Sequence, residues 1–119
     1  MTNAKILGIN GENNVINHLK REGYTILETN WRFSHKEIDI IALKGDILCI
    51  VEVKTRSSKF SSPKDAVTIS KQKNLISAAN EYVMQKEIDY EVRFDVAEVI
   101  FQNGNYEINY IEDAFIPLY

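Results

Sequence analysis

The chain has a single cysteine, Cys49, so no disulfide can close within it, and a reducing cytoplasm is the expected compartment. Its longest uninterrupted apolar run, Ile47–Val51, falls far short of the roughly 20 residues that a membrane-spanning helix needs, so no membrane segment is expected. No basic stretch followed by an apolar one opens the sequence, which argues against a secretory leader. There is no Cys/His pattern with metal spacing, no Gly-rich loop ending in Gly-Lys-Ser, and no internal repeat. His18 and His35 stand alone and read as surface residues rather than ligands. Positive charge is not in excess either. A net charge of −3 and a pI near 5.4 exclude a uniformly basic nucleic-acid binder, while a local patch or a bound cation can still supply the electrostatics.

What is present suits one globular domain spanning residues 1–119: 45% apolar and 26% charged residues are enough for a core and for a solvated surface. Ala4 to Glu22 reads as a helix, with Asn3 as N-cap and Gly23 as stop. Ile9, Glu12, Ile16 and Leu19 fall on one face of it, and Gly8 and Gly11 allow another segment to approach closely. Tyr24–Phe33, Glu37–Leu43 and Ile47–Lys54 read as strands, with Ser34-His35-Lys36 as a polar turn. Gly45-Asp46 suits a type II′ hairpin. Ser62, Pro63 and Asp65 resemble the start of a second helix running to about Lys86, with Leu75, Ala78, Ala79 and Tyr82 buried and Lys71 one turn before them. Val92–Phe101 and Tyr106–Ile111 form a last hairpin around Asn103-Gly104. The expected fold class is α/β, a mixed sheet flanked by helices in the order α-β-β-β-α-β-β.

The chemistry lies in two apolar strands that carry charge. Glu37-Ile38-Asp39-Ile40-Ile41-Ala42 and Ile47-Leu48-Cys49-Ile50-Val51-Glu52-Val53-Lys54 place carboxylates where a core belongs, and burying unpaired carboxylates is costly. A two-residue turn sets Lys44 against Ile47, which puts Asp39 opposite Glu52 and Glu37 opposite Lys54. Directly opposed side chains have Cβ atoms about 4.5–5.5 Å apart. Glu52 and Lys54 share a face, because residues two apart do so in a strand. Opposed like charges destabilise a sheet unless a cation lies between them. Asp39, Glu52, a backbone carbonyl and waters would suit Mg2+, with Mn2+ as substitute. A Glu-x-Lys on a strand is more often a plain solvated charge pair, and it is the addition of Asp39 and of Glu12 on an apolar helix face that favours a site. Arg93 and Asp95 read as a salt bridge on a later strand. Lys71 reads equally as a phosphate contact or a solvated lysine, and Tyr24, Trp31 and Phe33 as core or rim.

Asp39 followed by Glu52-Val53-Lys54 resembles the PD-(D/E)XK nuclease signature. Gly11-Glu12, Gly23-Tyr24-Thr25-Ile26-Leu27, Asn30-Trp31-Arg32, Glu37-Ile38-Asp39-Ile40-Ile41-Ala42, Val51-Glu52-Val53-Lys54-Thr55-Arg56 and Arg93-Phe94-Asp95-Val96 occur in order. Together they resemble the YraN-like family, which is similar to archaeal Holliday-junction resolvases. The resemblance runs from Gly11 to Val96. It implies a restriction-endonuclease-like fold and a nucleic-acid substrate. It also implies roles: Asp39 and Glu52 on Mg2+ with the Val53 carbonyl, Lys54 on the attacking water, and Glu12 on the metal or its waters. Resolvase-like relatives imply a homodimer. Lys36 stands where the pattern has glycine before Glu-Ile-Asp, and Phe60-Ser61-Ser62-Pro63 lacks the glycine often found after the phenylalanine.

The expected activity is Mg2+-dependent hydrolysis of phosphodiester bonds in DNA, selective for structure rather than sequence. Arg32, Arg56 and Lys71 would grip flanking phosphates, contacts that position without reading bases. The alternatives are a noncatalytic nucleic-acid binder on the same fold and an interaction protein whose charges are structural.

Overall fold

A computed structural model describes residues 3–57 and 67–117, and for residues 3–9 the backbone alone. The elements are α1 (Asn3–Arg21), β1 (Thr25–Phe33), β2 (Lys36–Lys44), β3 (Ile47–Arg56), α2 (Ile69–Gln85), β4 (Glu91–Gln102) and β5 (Asn105–Ile111). This is the order expected of a restriction-endonuclease-like α/β domain. The sheet runs β1-β2-β3-β4-β5 in space. β3 and β4 pair in parallel and every other neighbour is antiparallel, so the sheet is mixed. The parallel pair needs a long crossover, and α2 lies within it. Among the described residues no helix is long and apolar enough to cross a membrane.

Local chemistry sets the element ends. At the end of α1 the Gly23 N–H donates to the Lys20 carbonyl at 3.1 Å and the Tyr24 N–H to the Leu19 carbonyl at 2.9 Å. That is the Schellman pattern, with Gly23 in the left-handed region at φ 89°. In the β2–β3 turn only the first central residue, Gly45, has positive φ, as a type II′ turn requires. In the β4–β5 turn both Asn103 and Gly104 do, which is the type I′ pattern.

The sheet is covered on both faces. α1 buries Val15 and Leu19 over Ile40, Ala42, Cys49, Val51, Ala97 and Val99. α2 buries Leu75, Ala78, Ala79 and Tyr82, the expected four, over the opposite face at Ile38, Leu48, Ile50 and Phe94. β3 lies at the centre and is apolar on both sides as far as Val51, which explains its unbroken apolar run. Burying one such side chain contributes about 1.5–3 kcal/mol. The α1 stripe expected from sequence is shifted slightly: Val15 is buried and Ile16 only half-buried, while the Ile9 side chain lies outside the described residues.

Two boundaries differ from expectation by more than one residue. β3 continues past Lys54 to Arg56. α2 begins at Ile69, capped by Thr68, whose Oγ1 accepts from the Lys71 N–H at 3.2 Å. Ser62, Pro63 and Asp65, read as its first turn, lie outside the described residues. Thr68 has the same capping chemistry as Ser62, and the buried Val67 just before it anchors the chain to the core where the helix starts.

Gly11 is where α1 meets the end of β3. A Cβ built there would lie 2.5 Å from Thr55 Oγ1. Gly11→Ala is expected to destabilise by about 1 kcal/mol, since overpacking costs about 1–3 kcal/mol and the helix gains about 1 kcal/mol from alanine. Gly11→Ala/Thr55→Ala should recover the loss, because the next neighbour, Val99 Cγ2 at 3.7 Å, is in ordinary contact. Urea denaturation of both variants checks this.

Candidate functional site

The β2–β3 ladder keeps the expected register from Lys44↔Ile47 to Ile40↔Val51 and ends there. Asp39 and Glu52 are therefore not a ladder pair, and neither are Glu37 and Lys54. The reason is a side chain: Asp39 Oδ2 accepts the Val53 N–H at 2.9 Å, taking a backbone donor that the ladder would otherwise use. Asp39 is thereby held against β3 just where the two strands part.

The two acids still converge. Glu52 is only 5% exposed, and it points to the α2 face, where Leu48 and Ile50 also lie. Burial, then the Asp39 charge, then a hydrogen bond with Asp39 push its carboxyl from 4.5 up to about 8, against the opposing pull of Lys71 and Lys54. Two carboxylates can share a hydrogen bond only when one carries a proton. Among the described residues Glu52 Oε2 has no hydrogen-bond partner, although the Lys71 ammonium stands 3.7 Å away. A buried acceptor without a hydrogen bond is costly, and the Lys71 charge offsets part of that cost.

A second group of acids adjoins the first from α1 and β2. Glu12, on α1, has its carboxyl pushed up by burial and then by the charges of Asp39 and Glu37. With its amide nitrogen turned toward these acceptors, Asn30 donates to Glu12 Oε1 and Glu37 Oε1, both at 3.0 Å. Asn30 adopts φ 51°, a left-handed conformation that asparagine tolerates better than most residues. Sequence reading missed this bridge. The available signal was an asparagine inside an otherwise strand-forming run.

The expected cations fall in different places. Lys71 faces Glu52, as its helical position predicts. Lys54 is half-buried and acts electrostatically on Glu52. Arg56 is drawn elsewhere: its Nε lies 3.0 Å from Oε2 of the buried Glu98, whose Oε1 accepts from Asn109 at 3.0 Å. Arg32 is largely exposed and lies 3.4 Å from Glu37, so Glu37 is partnered by β1 rather than by Lys54.

The sequence pattern of the uncharacterised protein family UPF0102 matches residues 11–99. This chain belongs to UPF0102. That is the YraN-like family its ordered motifs resemble. It is 50% identical over 110 residues to a UPF0102 protein of Flavobacterium psychrophilum, covering 92% of each chain. It is 46% identical over 112 residues to one of Bacteroides thetaiotaomicron, covering 93% of each. With one of Clostridium perfringens the identity is 45% over 115 residues, covering 93% of this chain and 94% of the relative.

The UPF0102 match spans the acid cluster and the Arg93–Asp95 pair at the heart of a second buried charge network. In the latter, Arg93 donates to Asp95 from Nε at 2.9 Å and Nη2 at 2.9 Å, and from Nη2 to the Tyr24 hydroxyl at 2.9 Å. The Tyr110 hydroxyl donates to Asp95 at 2.6 Å and the Asp113 N–H at 3.1 Å. Burial and the Asp95 charge push the Tyr110 hydroxyl far up. This is the salt bridge expected from sequence, fully satisfied and structural. His18 lies beside it, half-buried, in ring contact with Tyr110 at 6.3 Å.

Among the described residues no three His, Cys, Asp or Glu side chains cluster as metal ligands. A divalent ion at this site would draw on two protein carboxylates, Asp39 and Glu52, with the Val53 carbonyl as the expected backbone ligand. That set fits Mg2+, which takes one or two carboxylates and keeps waters or substrate phosphates in its other positions. Glu52 Oε2, buried and without a hydrogen bond, is the atom such an ion would approach.

Proposed function

We propose that this UPF0102 protein is a Mg2+-dependent nuclease that hydrolyses phosphodiester bonds in DNA and recognises structure rather than sequence. The reading is carried by Glu52, a buried carboxylate beside Asp39 whose Oε2 has no hydrogen bond and faces only the Lys71 ammonium at 3.7 Å. A divalent ion held there supplies Lewis acidity at the scissile phosphate and a water acidified toward neutral pH, and Mn2+ can replace Mg2+. Asp39 and Glu52 hold that ion. Asp39 also fixes the Val53 amide, so the position of the neighbouring carbonyl depends on it. Glu12, aimed by Asn30, would contact that ion or its waters.

Lys54, beyond Glu52 on the same face, orients the attacking water and offsets charge that builds on the phosphate. Lys71 stands on the opposite wall and contacts a substrate phosphate. Arg32, exposed on β1, grips a flanking phosphate, and Arg56 joins it if substrate draws it from Glu98. DNA is thus the proposed partner.

The test is incubation with branched and linear DNA, with Mg2+ and with chelator. Products that need Mg2+ and vanish in Asp39→Ala/Glu52→Ala are expected. Cleavage surviving the double substitution overturns the mechanism. Binding that weakens steeply with salt but yields no product in Mg2+ or Mn2+ establishes the noncatalytic alternative instead.

A further inference from the structure

A groove between α2 and the β1–β2 hairpin lies outside the site described so far. Its volume is about 410 Å³, within the 300–1,000 Å³ range of small-molecule pockets. Phe33, Ile76 and Met84 form apolar walls, Ser77 and Asn80 supply polar groups, and Lys73 stands at the rim. A nucleobase asks for this combination: a flat ring to stack on, an apolar backing, and groups that both donate and accept at its edge.

Charge favours a nucleic-acid occupant. Lys36 donates from Nζ to Oγ of the lining residue Ser77 at 2.9 Å, which brings a second ammonium to the groove besides that of Lys73. The one acid in the lining, Glu81, accepts from Gln85 Nε2 at 3.1 Å along its own helix. Lys36 is the residue that replaces the glycine of the sequence pattern, so this ammonium is a feature of this chain.

Position favours it too. Lys36 precedes Asp39 by three residues on β2, about 10 Å of strand. Lys73 follows Lys71 by two residues on α2, and Lys71 faces Glu52. From Lys73 to Met84 the helix rises about 16 Å, more than a single base needs. Phe33, read from sequence as core or rim rather than as a base-stacking platform, is half-buried and lines the groove.

We propose that the groove seats the unpaired bases of a single-stranded arm adjoining the cleaved phosphate, so that the substrate is DNA at a junction of duplex and single strand. The substrate assignment rests on the nuclease reading; the binding does not.

The test uses the full-length protein without divalent cation, so that nothing is cleaved. Anisotropy compares a blunt duplex with the same duplex carrying an unpaired dT tail. The wild type should prefer the tailed duplex. Phe33→Ala and, separately, the exposed-site variant Asn80→Ala should each lower that preference, Phe33→Ala by about tenfold, the value of one lost stack. Phe33→Trp should retain it. Melting temperatures confirm that each variant is folded.

No tail preference in the wild type, or a preference untouched by both alanine variants, overturns the proposal. The two readings fail separately. Tail binding without cleavage in Mg2+ removes the nuclease and leaves the groove. Cleavage without tail preference removes the groove and leaves the nuclease.

Discussion

Glu52→Gln should melt on the order of 15 °C above the wild type at pH 8 in the absence of divalent cation, and within about 3 °C of it at pH 5. The reason is the cost of ionising a carboxyl that is buried beside another carboxyl. In the unfolded chain Glu52 loses its proton near 4.5, and in the folded chain only near 8. Between those values the folded state holds more protons than the unfolded one. Stability of the wild type therefore falls as pH rises through this window, at up to about 1.4 kcal/mol per pH unit. Glutamine stays neutral throughout and can still donate to Asp39, so its stability lacks this slope. The divergence is the signature. A constant difference between the two proteins from pH 5 to 8 would show that Glu52 does not titrate in this way.

Mg2+ should act in the opposite sense. At pH 8 the Glu52 proton is already leaving and an ion meets two free carboxylates. At pH 6 it must first displace that proton. A concentration of about 100 times Kd stabilises by about 2.7 kcal/mol, so the wild type at pH 8 should gain on the order of 10 °C. The gain should shrink at pH 6 and nearly vanish in Glu52→Gln. Calorimetry at the two pH values measures all three outcomes.

Much of this arrangement was legible beforehand, and the reasons differ from element to element. The β2–β3 register followed from the two-residue turn at Gly45-Asp46, since the turn fixes which residues face each other. The buried face of α2 followed from spacing alone, because Leu75, Ala78, Ala79 and Tyr82 return to one side with helical period. What spacing could not reveal was where the ladder stops. That depends on the Asp39 carboxylate outcompeting a backbone carbonyl for the Val53 N–H, a tertiary choice with no periodic trace. The Asn30 bridge is hidden for a related reason: it joins α1 to β2 through a residue whose backbone leaves the strand conformation. Arg56 has a partner that spacing did not reveal. Next to the signature lysine it reads as a phosphate contact, but the parallel pairing of β3 with β4 brings a buried acid, Glu98, within its reach.

Lys54 and Lys71 both lower the Glu52 carboxyl's hold on its proton, yet their substitution should have separable consequences. Lys54→Met is expected to reduce the single-turnover cleavage rate by about 10²–10³-fold, the usual scale for losing one group that aids proton transfer or steadies transition-state charge. Its effect on Mg2+ binding should be small, because the two acids remain. Lys71→Met should do the reverse. Lys71 is 3.7 Å from Glu52 Oε2 and acts on it more strongly than Lys54 does. Without it the carboxyl holds its proton to higher pH, so the Mg2+-induced rise in melting temperature should move to higher pH. The cleavage rate at saturating Mg2+ should fall less than in Lys54→Met, because one phosphate contact positions substrate without touching the reacting water. Rate and melting temperature measured on the same preparations separate the two lysines. If Lys54→Met keeps its rate while losing its response to Mg2+, Lys54 belongs to the ion's surroundings and the attacking water must be oriented by another group.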